Sequence, residues 1–138
     1  GRLEGIALDW QVQRVRPVSG YPDELVQVWT NLMTNALEAL VEAGAATDSP
    51  ATITVSLKEE GDEALVLVQD NGPGIPQAMQ ARIFKPLFTT KAPGKGTGLG
   101  LSISQEILQR HGGSLLMESA PGCTVFQARL PLIKESAE

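Results

Sequence analysis

The stretch from Thr52 to Asp70, TITVSLKEEGDEALVLVQD, decides the fold. Thr52-Ile53-Thr54-Val55-Ser56-Leu57 alternates polar and apolar side chains, Glu59-Glu60-Gly61-Asp62-Glu63 is a polar turn, and Ala64-Leu65-Val66-Leu67-Val68 resumes the strand pattern. The reading is a β-hairpin with one buried face, ending in a carboxylate, Asp70, at a sharp Asn71-Gly72-Pro73-Gly74 turn.

Upstream, Ile6-Ala7-Leu8-Asp9-Trp10-Gln11-Val12 suggests an edge strand, and a second extended piece runs toward Val18 before Gly20 and Pro22 break it. From Pro22 the period turns helical: Leu25, Val28, Trp29, Leu32, Ala36 and Leu40 recur every three or four residues until about Gly44. Downstream, a short helix is expected after Pro76 to about Ile83, then a mobile loop from Lys85 to Thr97, where neither period holds. Leu99, Ile103, Ile107 and Leu108 mark a further helix that stops at His111-Gly112, and the runs 114–117 and 123–130 read as two closing strands around Ala120-Pro121-Gly122. Because the strands come as hairpins and do not alternate strictly with helices, the expected fold is an α/β two-layer sandwich. It has a mixed, largely antiparallel sheet of about five strands, covered on one face by about three helices.

At 138 residues the chain fits one domain, taken as 1–138. Its 42% apolar and 20% charged content is that of an ordinary globular protein, and no apolar run approaches the roughly 20 residues that cross a bilayer. A start at Gly1 without Met or a leader pattern suggests a fragment of a longer protein. The net charge of -5 argues against nucleic acid as a partner, although Lys85, Lys91 and Lys95, three of five lysines, cluster in eleven residues. Cys123 is alone, which excludes an internal disulfide framework and suits a reducing cytosol.

Three motifs carry chemistry. Asn31 and Asn35 lie one turn apart in a helix interior, where Asn is a weak former, and a neutral carboxamide oxygen can hold Mg²⁺ without cancelling its charge. Asp70 can accept a hydrogen bond from an adenine amino group while Gly72 and Gly74 let the backbone approach the base. Gly94, Gly96, Gly98 and Gly100, with Lys95 and Thr97 between them, precede a helix whose N-terminus attracts phosphate. Each motif alone has a bland reading: an exposed helix face, a common turn, a hinge. Their joint order points to a nucleotide site.

These segments resemble the catalytic ATP-binding domain of bacterial sensor histidine kinases, in the superfamily shared with DNA gyrase, the heat-shock chaperone ATPase and mismatch-repair ATPases. Leu25–Ala36 resembles the asparagine box, Asp70–Pro76 the first glycine box, Ile83–Lys91 the phenylalanine box and Gly94–Leu101 the second glycine box, with His111-Gly112-Gly113 and Gly122-Cys123-Thr124 as further recurring pieces. The resemblance implies ATP and Mg²⁺ as cofactors. By it, Asn35 is the metal ligand, Asn31 stands alongside the phosphates, and Asp70 reads adenine with help from Thr124. Gly72, Gly74 and Ile75 shape the base pocket, while Gly96, Thr97, Gly98, Leu99, Gly100 and Leu101 wrap the phosphates. Lys91 or Lys95 meets the terminal phosphates, and the two lysines with Asn31 make up the catalytic set; the lid spans about Lys85 to Thr97. Lys85 stands where the family often has an acid, Leu87 replaces a usual aromatic, and Cys123 stands where glycine is common.

Superfamily members that hydrolyse ATP carry glutamate four residues before the metal asparagine, where this chain has Asn31; a carboxamide is no general base, so phosphoryl transfer is expected over hydrolysis. The implied activity is donation of the γ-phosphoryl group to a histidine on a separate helical dimerisation domain of the same parent, a homodimer, with a response regulator downstream. That acceptor domain is absent here, so the chain alone is expected to bind ATP without autophosphorylating. It is placed in the cytoplasm, without membrane contact of its own, under a parent that can be membrane-anchored. The rival readings are a nucleotide-binding regulatory module or pseudokinase, an ATP-driven clamp, and an anti-sigma-type serine kinase of the same superfamily.

Overall fold

The computed structural model describes residues 2–3, 6–43, 50–85 and 100–133. The strands are β1 (Arg2–Leu3), β2 (Ile6–Val12), β3 (Thr52–Glu60), β4 (Glu63–Asp70), β5 (Ser114–Ala120) and β6 (Cys123–Pro131), and the helices are α1 (Pro22–Ala43), α2 (Gln77–Gln80) and α3 (Gly100–Arg110). One sheet in the order β1-β2-β3-β4-β6-β5 holds all six strands, and β2 with β3 is its one parallel pair. The expected two-layer mixed sheet is therefore present, with the two-residue β1 as an added edge.

Alternation along the strands sorts their side chains between two faces. Ile53, Val68, Phe126, Ala128 and Leu115 turn inward, where they meet the apolar stripe of α1 formed by Leu25, Val28, Leu32, Ala36 and Leu40, together with Ile107 and Leu108 of α3. α1 lies over β4, and α3 lies over β5 and β6. Phe126 is almost fully enclosed and meets Phe84 edge to face at 6.4 Å, which ties the segment after α2 to the core.

Two elements differ from expectation. Residues 13–17 form no strand, and Val18 makes only an isolated bridge to Leu132. The reason is a polar clamp: Arg16 binds Glu59 through Nε at 3.1 Å and Gly61 O through a terminal nitrogen at 3.0 Å, so the middle of this segment is tied to the β3–β4 turn. The helix expected to reach Ile83 ends at Gln80, and single turns follow, with Arg82 N–H bound to Met79 O and Lys85 N–H to Arg82 O. α3 stops as expected at Gly112, whose φ is +79°, with Gly113 N–H returning to Leu108 O at 2.8 Å and Gly112 N–H to Gln109 O at 3.0 Å.

Candidate functional site

The site is built on one end of the sheet and one side of α1. In the ladder Asp70 pairs with Thr124, and Thr124 pairs with Ser119, so three polar residues stand in a row across β4, β6 and β5. Partners in register on antiparallel strands project from the same face, here the helix-covered one. Asp70 and Thr124 are both buried.

Asp70 Oδ1 accepts the N–H of Gly72 at 2.9 Å, while Oδ2 has no partner among the described residues. Burial holds the carboxyl above the usual aspartate range, and the Gly72 hydrogen bond partly offsets this. A buried acceptor with a spare oxygen suits a ligand that brings an N–H donor. The neighbouring Asn71 serves the fold and not the pocket. Its Oδ1 accepts Thr52 N–H at 2.8 Å and its Nδ2 donates to Pro50 O at 2.7 Å, which seals the turn onto the start of β3.

The glycines of this turn are required by close approach. A Cβ on Gly72 would lie 2.9 Å from Asp70 Oδ1, with Leu40 Cδ2 at 3.6 Å and Ala39 Cβ at 3.9 Å beyond it, so the turn rests against α1. Gly74 has φ +89°, and a Cβ there would run into Ala120 O. Ile75, packed against the core, donates its N–H to Ser119 Oγ at 2.8 Å. Gln80 Nε2 then donates to Ile75 O at 2.9 Å and to Ser119 O at 3.3 Å, which fastens the turn to the β5–β6 hairpin.

On α1, Asn31, Asn35 and Ala39 follow one another at intervals of four and share one side, spanning about 12 Å. Asn31 marks one end: its Nδ2 donates to Gly100 O at 3.2 Å and to Ser104 Oγ at 3.1 Å, at the start of α3. Ala39 marks the other, beside Gly72. Asn35 lies between them, half-buried, and its carboxamide makes no hydrogen bond to another described residue. That free amide oxygen fits a hard cation of the Mg²⁺ kind, which keeps most of its ligands as water and phosphate oxygens. No group of three or more His, Cys, Asp or Glu converges on a metal position among the described residues.

The structure thus brings together Asn31, Asn35, Asp70, Gly72, Gly74, Ile75, Gly100 and Thr124, with Leu101 packed against the core at the start of α3. Lys91, Lys95, Gly96, Thr97, Gly98 and Leu99, and the expected lid, lie outside the described residues apart from Lys85. Cys123 is half-buried on the face opposite Thr124, so its thiol points away from the Asp70 row. Ser119, Gln80 and Ser104 escaped sequence reading; the one signal was a polar residue at an inward position of an otherwise apolar strand or helix face.

His111 is pinned. Its Nδ1 lies 2.8 Å from Ile107 O and its Nε2 accepts Tyr21 N–H at 3.1 Å, which places the ring proton on Nδ1 and ties the end of α3 to the entry of α1. Arg110 reinforces that junction by pairing with Glu24 at 3.1 Å.

Comparison with known proteins shows the family. The family model of histidine kinase-, DNA gyrase B- and HSP90-like ATPases matches residues 20–134. The chain is similar to the two-component sensor PprA of Pseudomonas aeruginosa, 45% identical over 116 residues that make up 83% of this chain and 12% of that protein. It is also similar to the sensor histidine kinase ZraS of Salmonella typhi, 41% identical over 88% of this chain and 24% of that protein. The sensory histidine kinase/phosphatase NtrB of Azospirillum brasilense is 39% identical over 87% of this chain and 32% of its own length. The chain therefore spans a third or less of these curated relatives. Among solved structures it matches the catalytic domain of histidine kinase ThkA with a TM-score of 0.77 at 32% identity, covering 92% of this chain and 79% of that one. The chain belongs to the histidine kinase-, DNA gyrase B- and HSP90-like ATPase family, and within it to the catalytic domains of sensor histidine kinases.

Proposed function

We propose that this chain binds Mg-ATP along the Asn31–Ala39 side of α1, with the base at the Asp70 turn, and presents the γ-phosphoryl group to a histidine on a separate helical domain. The observation that carries the reading is Asp70: a buried carboxylate with one oxygen tied to Gly72 and the other left for a donor. The adenine amino group supplies that donor, whereas guanine would bring a carbonyl oxygen and be repelled. Gly72, Gly74 and Ile75 form the wall of the base pocket, and Thr124 stands beside Asp70.

Asn35 holds the cation, and Gly100 and Leu101 form the near end of the phosphate cradle, completed by Gly96, Thr97, Gly98 and Leu99. Mg²⁺ held there would supply positive charge to offset the negative charge that gathers on the phosphoryl group during transfer. Lys91 or Lys95 meets the terminal phosphates. Asn31 keeps the start of α3 in place and offers no base to activate water, so the γ-phosphoryl is preserved for an imidazole nitrogen attacking in line. The parent protein dimerises through the acceptor domain and passes phosphate to a response regulator in a two-component system. No described helix is long and apolar enough to cross a membrane, and the domain's place of action in this reading is the cytoplasm.

The test is labelled ATP with the parent's own helical acceptor domain added in trans. Label on the acceptor histidine that disappears in Asn35→Ala, as an acid-labile P–N linkage, is the expected result. Nucleotide binding without transfer would identify a regulatory module, steady ATP turnover by the chain alone a clamp, and an acid-stable linkage a serine kinase.

A further inference from the structure

We propose that Ser119 determines base specificity as a positioning residue, by fixing the direction in which the Thr124 hydroxyl donates. The proposal rests on the nucleotide-binding reading above and concerns the same pocket.

Two hydroxyl protons set that direction. Ser119 Oγ receives the Ile75 N–H at 2.8 Å, and a backbone amide can only donate, so Ser119 is an acceptor in that contact. Its own proton has two acceptors in reach: Thr124 Oγ1 at 2.8 Å and Cys123 O at 3.5 Å. The first distance is the usual O–H···O length and the second lies at the limit, so Ser119 donates to Thr124. Thr124 Oγ1 is then the acceptor toward β5, and its own proton has to point elsewhere. Thr124 is buried, and a buried hydroxyl seeks an acceptor. Asp70 is in register with it on the same face, with no hydrogen bond between the two, so on the reading above the proton is left for the base that lies beside that carboxylate.

The pocket therefore offers an acceptor at Asp70 and a donor at Thr124, side by side. Adenine presents the complementary pair, an amino donor at C6 and a lone pair at N1. Guanine and hypoxanthine present the reverse, a carbonyl at C6 and an N–H at N1. If Ser119 did not hold it, the Thr124 hydroxyl could rotate and accept from the N1–H of the wrong base. Gln80 supports the arrangement from behind by binding both Ile75 O and Ser119 O, which keeps the amide that orients Ser119 in place.

The test compares dissociation constants for ADP and inosine diphosphate in the presence of Mg²⁺, measured by calorimetry on the whole chain. Inosine diphosphate carries the reversed edge without the 2-amino group of guanine, so size does not confuse the result. Ser119→Ala is expected to lower the preference for ADP over inosine diphosphate by about tenfold, the usual effect of one misdirected hydrogen bond in a buried site. Ser119→Thr, which keeps the hydroxyl, is expected to restore it. In a Thr124→Val background, Ser119→Ala should leave the preference unchanged, because its route of action is gone. Should Ser119→Ala not fold, Ser119→Cys, similar in size and a weaker donor, takes its place. An unchanged preference in Ser119→Ala, or an equal loss with and without Thr124, overturns the proposal while leaving ADP binding intact. Failure of the unaltered chain to bind ADP overturns the nucleotide reading itself.

Discussion

Asp70 Oδ1 stands 2.9 Å from the amide nitrogen of Gly72 and 2.9 Å from the place where a Gly72 Cβ would begin. The same glycine thus supplies the hydrogen bond that orients the carboxylate and the empty space that admits it. A methyl group there would push against Asp70 on one side and toward Leu40 and Ala39 of α1 on the other. Gly72→Ala is expected to weaken ADP binding by at least the roughly tenfold that one charged hydrogen bond is worth, as read by calorimetry. Unchanged affinity would show that the Asp70 turn is not the base site.

Asp70 also predicts a pH dependence. Burial raises its folded pKa above the unfolded value, so in the window between them the native state holds more protons than the unfolded state. Stability from this group is therefore full below the ordinary aspartate range and is lost as pH rises through the raised folded value. Nucleotide affinity runs the other way and strengthens on the same rise, as the carboxylate becomes the better acceptor. Asp70→Asn should flatten both profiles, leave the free chain at neutral pH at least as stable in urea, and bind ADP less tightly.

The two asparagines of α1 separate in their effects. Asn31 uses its amide to donate to Gly100 O and Ser104 Oγ, and Ser104 is fully buried. Asn31→Ala should cost about 1–3 kcal/mol in denaturant unfolding. Asn35→Ala should change stability by no more than about 0.5 kcal/mol, since the side chain is half-buried and bonded to no other described residue. Its effect should appear in the Mg²⁺ dependence of ADP binding, measured by titration with and without a chelator.

Much of the fold is legible in the sequence where one period or one stop residue governs. The 52–70 hairpin, the entry of α1 at Pro22, and the Gly112 stop of α3 follow from alternation and from backbone preferences that act within a few residues. Partners distant in sequence are not legible. The parallel pairing of β2 with β3 depends on α1 crossing between them, and residues 13–17 depart from the expected strand because Arg16 answers to Glu59 and Gly61 and not to a neighbouring ladder. In the candidate site, residue types single out Asn35, Asp70 and the glycines as candidates, whereas Ser119, Gln80 and the tether made by Asn31 emerge only when β5, α2 and α3 come together.

Two glycines with positive φ should respond differently to alanine. Gly61, at +60° with nothing near its missing Cβ, should cost about 1 kcal/mol from backbone conformation alone. Gly74, at +89° with Ala120 O in the way, has to lift the first glycine loop off the β5–β6 hairpin. Gly74→Ala should therefore lose more stability than Gly61→Ala in thermal melts, and should lose ADP binding, which Gly61→Ala retains.

Both ring nitrogens of His111 are spoken for, one facing the Ile107 carbonyl and the other receiving the Tyr21 amide, and this is the sole imidazole in the chain. A phosphoramidate formed on either nitrogen would sever a strut between the two long helices. Phosphate found on this histidine by mass spectrometry would accordingly be a mark of molecules whose helical layer has come apart, not a step of signalling.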